Sequence, residues 1–104
     1  MMQILTTDHV PGREIEALGL VRGSTVRAKH IGTDIVAGLR NLVGGEVREY
    51  AALMAGAREQ ALDRMIEEAR AQGADAVIAT RFETSTIAQG ASEILAYGTA
   101  VRFK

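Results

Sequence analysis

Two histidines are the residues of this chain best suited to bind a metal ion. His9 and His30 are its only imidazoles, and Asp8 and Asp34 place carboxylates near them in the sequence. Imidazole and carboxylate groups accept ions such as zinc or nickel, whereas soft heavy metals prefer thiolates, and the chain has no cysteine. The histidines lack the H-x-x-x-H spacing that would place both on one element. The candidate ligands of a divalent metal ion are therefore His9, His30 and Asp34. If several copies of the chain formed a ring, each copy could contribute one of these ligands to a shared site. The alternative is that both histidines are solvated loop residues.

A second group of polar residues lies on segments that we predict to be strands. Arg81 and Glu93 are charged residues on partly apolar segments, and the Tyr97 hydroxyl could hydrogen-bond a ligand. These residues predict either a polar pocket between subunits or, as the commoner outcome, ion pairs of Arg81 with Glu83 or Glu93 across strands. The serines lack the strand-turn-helix context of a nucleophile. We therefore expect a non-catalytic protein rather than an enzyme.

Gly44-Gly45-Glu46 stands where we predict that a long helix begins. Free backbone N–H groups and the positive end of the helix dipole could hold a small anion there, with help from Arg40. The simpler interpretation is structural, because glycine allows the turn between two helices and Glu46 itself complements the dipole. No Lys-Ser or Lys-Thr follows, as a phosphate-binding loop would require.

Composition narrows the class of protein. The chain has 104 residues, which predicts a single domain over residues 1–104. Twelve basic and 13 acidic side chains give a net charge of −1 without a basic run, so nucleic acid and anionic membranes are not expected partners. The start of the sequence lacks a basic region followed by an apolar stretch, and we expect a soluble, cytoplasmic protein.

The apolar pattern predicts an α+β fold with one long helix. Residues 33–44 read as a short helix capped by Thr33, and residues 46–72 as a much longer one that ends at Gly73. Extended segments, in which Gly19 and Gly23 mark bulges or close backbone contacts, are predicted at residues 3–6, 14–28, 75–87 and 93–103. The last two form a hairpin, and the long helix should lie along them.

The last strand has two unlike faces, and this difference predicts self-association. Ala96, Gly98 and Ala100 make one face small, suited to close contact with Gly56, Ala57 and Ala61 of the long helix. The other face is bulky, and its residues are Leu95, Tyr97, Val101 and Phe103. A chain this short has no second long helix to cover that face, so we expect copies of the same chain to cover it.

Several short strings in this order and spacing resemble the YbjQ family, which is associated with heavy-metal binding. They are Thr6-Thr7 with Pro11-Gly12, LGLVRG at 18–23, DIVAGLRNLVGGE at 34–46, Tyr50, GADAV at 73–77, and EI and AYGTAV at 93–94 and 96–101. The resemblance implies a subunit similar to that of dodecin, in which a bent antiparallel sheet of about three strands packs on a long helix. It also implies that subunits close into a ring, as a pentamer.

Three hypotheses for function follow. The first is a non-catalytic ring-forming protein that binds metal ions. The second is a binder of, or an enzyme acting on, a small organic ligand at subunit junctions that contain Tyr97, Arg81 and Glu93. The third is a purely structural or partner-recruiting ring.

Overall fold

Four strands and one helix make up the part of the chain that the computed structural model describes, residues 2–28, 44–88 and 91–104. In chain order these elements are β1 (Gln3–Ile4), β2 (Ile15–Ala28), α1 (Gly44–Ala71), β3 (Ala76–Ala88) and β4 (Ala91–Phe103). The predicted α+β class, the long helix and the final hairpin are confirmed. The short helix predicted over residues 33–44 lies almost wholly outside the described residues, and α1 begins at Gly44 rather than near Glu46. No helix within the described ranges combines the length and apolar character that a membrane span needs.

The strands form one mixed sheet in the order β1-β3-β4-β2. β4 is antiparallel to both β2 and β3, and the last residues of the β3–β4 ladder pair Ala88 with Ala91. The predicted sheet of about three antiparallel strands was wrong in strand number. β1 adds a fourth strand parallel to β3, with Gln3 opposite Ala76 and Ile4 opposite Val77. A parallel pair needs a long crossover connection, which the chain between β1 and β3 supplies.

α1 packs on the face of the sheet formed by β2 and β4. Its contact stripe consists of fully buried residues one turn apart, namely Ala57, Ala61, Met65 and Ala69. Three alanines in this stripe let the helix approach β2 closely, and the buried Thr25 hydroxyl donates a 2.9 Å hydrogen bond to the Ala57 carbonyl. The helix ends at Ala71, and Gly73 in the turn that follows has a φ of +76°, which allows the Ala74 N–H to bond the Ala69 carbonyl at 3.1 Å. The predicted stop at Gly73 is confirmed.

The two glycines predicted to interrupt β2 have different roles. The register of β2 on β4 shifts between Ala17 and Gly19, which confirms a bulge there. Gly23 is instead a point of contact with the helix, because an added Cβ would collide with the Ala61 carbonyl oxygen and the Met65 amide nitrogen. Gly56, predicted to line the helix contact, is exposed and has no neighbour in this position.

Small residues of β4 lie on the helix side of the sheet, as predicted. Ala96 and Ala100 are fully buried in the helix-facing core. The close contact at Gly98 is with β3 rather than with the helix, since an added Cβ would lie 2.7 Å from Val77 Cγ1 and 2.9 Å from the Ile78 carbonyl oxygen. Gly98 lies on the helix side of β4, directly opposite Val21, but its nearest neighbours belong to β3.

The chain itself covers part of the bulky face. Val101 is fully buried in a second core on the side of the sheet away from α1, and Phe103 packs against that core. Its other members are Leu5, Val10, Ile15, Ala76 and Ile78. The segment between β1 and β2 thus covers Val101, so the expectation that only other subunits could cover this face was wrong for the end of β4. Leu95 and Tyr97 belong to neither core and remain partly exposed.

Candidate functional sites

His9, the first predicted metal ligand, lies in the loop between β1 and β2. The Thr7 hydroxyl donates a 2.7 Å hydrogen bond to the His9 carbonyl, which tightens the turn, and the neighbouring Val10 anchors the loop in the second core. His9 Nδ1 lies 3.0 Å from Asp8 Oδ1, and the two side chains are 64% and 94% exposed. The hydrogen bond from His9, helped by its charge, lowers the pKa of Asp8 below the ordinary value of 3.8.

This histidine and carboxylate do not amount to a metal site. Protein sites bind zinc through at least three side chains. In the described ranges, no three His, Cys, Asp or Glu residues are grouped so that they could hold one metal ion. His30 and Asp34, the other two candidate ligands, lie outside those ranges. His9 and Asp8 would supply two ligands, so a metal ion bound there would need at least one further ligand.

The polar residues predicted to form a junction site lie on one face of the sheet. Arg81 is directly opposite Tyr97, and Glu93 is opposite Ser85 on the same side, away from α1. The predicted ion pairs of Arg81 with Glu83 or Glu93 do not form. Arg81 Nη1 instead donates to the Thr80 carbonyl at 2.8 Å and to the Thr6 carbonyl at 3.1 Å. Arg81 makes these bonds because it follows the register shift of β3 next to the β1–β2 loop, where the Thr6 carbonyl is within reach of its guanidinium group.

Sequence reasoning missed Arg22, which completes this row. Arg22 of β2 is directly opposite Tyr97, so the tyrosine lies between two arginines on neighbouring strands. Both arginines are exposed, and Tyr97 is half-buried. The missing signal was the register of β2 on β4, which depends on the bulge between Ala17 and Gly19 and cannot be read from the alternation of either strand alone.

The predicted anion site at the start of α1 is only partly described. α1 includes Gly44 and Gly45, so these glycines do not form a link before the helix. Arg40 lies outside the described residues. The anion site therefore stays a prediction.

A groove that sequence analysis did not predict lies between β1 and α1. It encloses about 460 Å³, and its lining residues are Met2, Ile4, Asp63, Ile66, Glu67 and Arg70. Met2, Ile4 and Ile66 give it an apolar floor, whereas Asp63, Glu67 and Arg70 lie on one exposed edge of the helix. The charges of both signs at its rim do not define one class of ligand.

Comparison with known families identifies the chain. A family model described as "Putative heavy-metal-binding" matches residues 2–104. The chain belongs to the YbjQ family. That family's description concerns metal binding, whereas the described part of this YbjQ-family chain has no group of three His, Cys, Asp or Glu residues that could hold a metal ion.

Relatives from archaea and bacteria match this YbjQ-family chain over nearly its whole length. A UPF0145 protein of Halorubrum lacusprofundi is 60% identical and covers 99% of this chain and 100% of the relative. A UPF0145 protein of Archaeoglobus fulgidus is 59% identical, covering 97% of this chain and 94% of the relative. A UPF0145 protein of Clostridium novyi is 52% identical, covering 97% and 98%.

A solved structure shares the fold. A crystal structure at 2.73 Å resolution, of a protein of unknown function in the DUF74 family from Pediococcus pentosaceus, aligns with a TM-score of 0.70. The alignment covers 99% of this chain and 98% of that protein, at 14% sequence identity. At this identity the likeness establishes the fold alone.

Proposed function

We propose that this YbjQ-family chain is a non-catalytic protein that assembles with copies of itself into a ring, with five subunits. The observation that carries the proposal is the exposure of the second half of β3. All eight residues from Arg81 to Ala88 are exposed, including Phe82 at 45% and Ile87 at 55%. A strand of this length and apolar content that remains open to water pairs readily with another chain, and natural proteins normally cover such a strand.

The shape of the chain supports the same proposal. Its radius of gyration is 17.1 Å and its principal extents are 55 × 22 × 19 Å. A compact domain of about 100 residues has a radius of gyration of about 13 Å. The sheet therefore extends beyond what its own cores can cover, and Leu20 and Val26 of β2 are also more than half exposed. Neighbouring subunits would bury these side chains.

Sedimentation velocity and native mass spectrometry of untagged protein test the assembly. We expect a multiple of the 11.1 kDa subunit mass that persists at micromolar concentration. The double variant Phe82→Glu/Ile87→Glu should lower that mass, because it replaces two exposed apolar side chains of β3 with charged ones. Ala52→Glu, on the exposed surface of α1, is the matched control and should leave the mass unchanged. A wild-type protein that is a folded monomer would overturn the proposal.

The same untagged sample separates the possible contents of the ring. Stoichiometric metal by elemental analysis would support metal binding, which is the family's description. A bound organic mass would support a ligand site at subunit junctions with Tyr97, Arg81 and Glu93. An assembled protein with neither would support a purely structural ring.

A further inference from the structure

The side of the sheet away from α1 carries an ordered pattern of charges beyond the second core. We call this surface the open face; its residues are Leu20, Arg22, Ser24, Val26, Arg81, Glu83, Ser85, Glu93, Leu95 and Tyr97. Their assignment to one side follows from the register. On the opposite side, Val21, Thr25, Ile94 and Ala96 are buried beneath the helix, so the alternating residues of the same strands point away from it.

Positive and negative charges on the open face are separated along the strand direction. Arg22, Tyr97 and Arg81 form one cross-strand row. The next row outward contains Ser24, Leu95 and Glu83, and the following row contains Val26, Glu93 and Ser85. Successive rows are about 7 Å apart. The positive row therefore lies nearer the second core, whereas both glutamates lie nearer the hairpin.

These charges form no ion pair with one another or with any other side chain among the described residues of their own chain. The ion pairs found there are His9 with Asp8 and Arg102 with Glu16. Arg22, Glu83 and Glu93 belong to neither pair, and Arg81 contacts backbone carbonyls. The open face thus combines two cations and two anions that form no ion pair within the described ranges with the apolar side chains of Leu20, Val26, Leu95 and Tyr97.

We propose that the open face binds the open face of a second copy across a two-fold axis that runs across the strands. This inference rests on the proposed self-assembly and names one of its contacts. Such a rotation reverses the strand direction, so the arginine row of each copy meets the row of the other copy that contains Glu93. A contact with strands in the same direction would place arginines opposite arginines, which opposes association.

The row between the arginines and Glu93 marks the place of the axis. Leu95 lies in this row, on the central strand of the three. It would contact the Leu95 of the other copy, and Arg22 and Tyr97 would then meet the region around the other copy's Glu93. Glu83, in the same row as Leu95, would lie beside the other copy's Glu83, with the Arg81 of each copy on either side of the pair. A surface that recognises itself in this way forms an isologous contact. Because a two-fold contact on every subunit joins two rings, the assembly contains an even number of chains.

Charge reversal tests the contact. Arg22→Glu and Glu93→Arg each place like charges opposite one another and should each lower the assembly mass by half or more in native mass spectrometry at 0.15 M salt. An equimolar mixture of the two variants should regain the wild-type mass, with each variant contributing half of the chains. Arg58→Glu, on the exposed surface of α1, is the matched control and should not change the mass.

Crosslinking tests the axis even if a reversed variant folds poorly. Because the chain has no cysteine, Leu95→Cys introduces a single thiol that a short bismaleimide can join only to the same residue of another copy. We expect covalent dimers with Leu95→Cys and none with the control Arg58→Cys. An assembled wild type whose mass is insensitive to both reversals, with no Leu95→Cys dimer, would overturn the two-fold contact and leave the ring proposal standing. A monomeric wild type would instead overturn the ring proposal.

Discussion

Gly23 of β2 lies directly against the backbone of α1 at Met65. A Cβ at position 23 would collide with the Met65 amide nitrogen and the Ala61 carbonyl oxygen, and would come within 2.7 Å of Arg64 Cβ. The Arg64 side chain reaches past this point, and its Nη1 donates a 2.6 Å hydrogen bond to the Ser24 carbonyl. The separation of helix and sheet is therefore set by the absence of a side chain at Gly23.

Replacing Gly23 with alanine should strongly destabilise the protein. The obstructing atoms are backbone atoms of a helix, so they cannot move aside as a flexible side chain would. We expect the Gly23→Ala variant to lose about 3 kcal/mol or more of unfolding free energy, measured by urea denaturation at fixed protein concentration. Gly56→Ala is the matched control, since nothing lies near that helical position; it should gain about 0.5 to 1 kcal/mol. A mild effect of Gly23→Ala would show that the helix lies farther from β2.

Ala79 should be a position where glycine is preferred to alanine. Its φ of +52° is in the left-handed region, where β3 shifts register and the Ala79 N–H donates a 2.7 Å hydrogen bond to the Thr7 carbonyl. The strain of a Cβ there exceeds the entropic cost of glycine, so Ala79→Gly should raise the unfolding free energy by about 0.5 to 1 kcal/mol. Ala79→Val should lower it. The same alanine-to-glycine change at Ala52, in the helix, should cost about 1 kcal/mol, and equal signs at the two positions would contradict this account.

The sequence predicted the elements better than it predicted what each face of the sheet contacts. Helical periodicity located the long helix, its Ala57 and Ala61 are buried as predicted, and Gly73 marked the helix end, because these signals are local. The packing of Leu5 and Val10 over Val101 was missed because these residues are far from Val101 in the sequence and their segment has no periodic pattern. Arg81 was assigned the wrong partners for the same reason.

The candidate sites depended even more on long-range geometry. Arg22 joins Tyr97 only through the register of two strands that are far apart in the chain. His9 was correctly placed on an exposed loop, since Pro11 and Gly12 mark a turn directly after it. The spacing of His30 and Asp34 in the sequence does not predict their distance from His9, because that distance depends on long-range packing.

The titration of Asp8 should depend on His9. Because the pKa of folded Asp8 is lowered, its contribution to stability is fully present above the ordinary pKa of 3.8 and is lost as pH falls through the lowered folded value. His9→Ala should move the Asp8 midpoint up towards 3.8, as measured by carboxyl carbon NMR in metal-free buffer. Arg102→Ala, which removes the cation of a separate ion pair with Glu16, should leave the midpoint unchanged. An unchanged midpoint in His9→Ala would show that the His9 hydrogen bond is not the cause.

Metal affinity, where it is found, should be weak and should depend on the histidines. With no cysteine, a site can draw only on His9, His30, carboxylates such as Asp34, and carbonyls, so it should favour zinc or nickel over soft heavy metals. Binding should weaken in acid, because a ligating imidazole must be neutral. Titration calorimetry of the parent and of His9→Ala/His30→Ala measures this dependence, with Arg58→Ala as the control. Tight binding that survives the double substitution would locate the site elsewhere, with Asp34, Glu46 and Glu93 the first carboxylates to substitute.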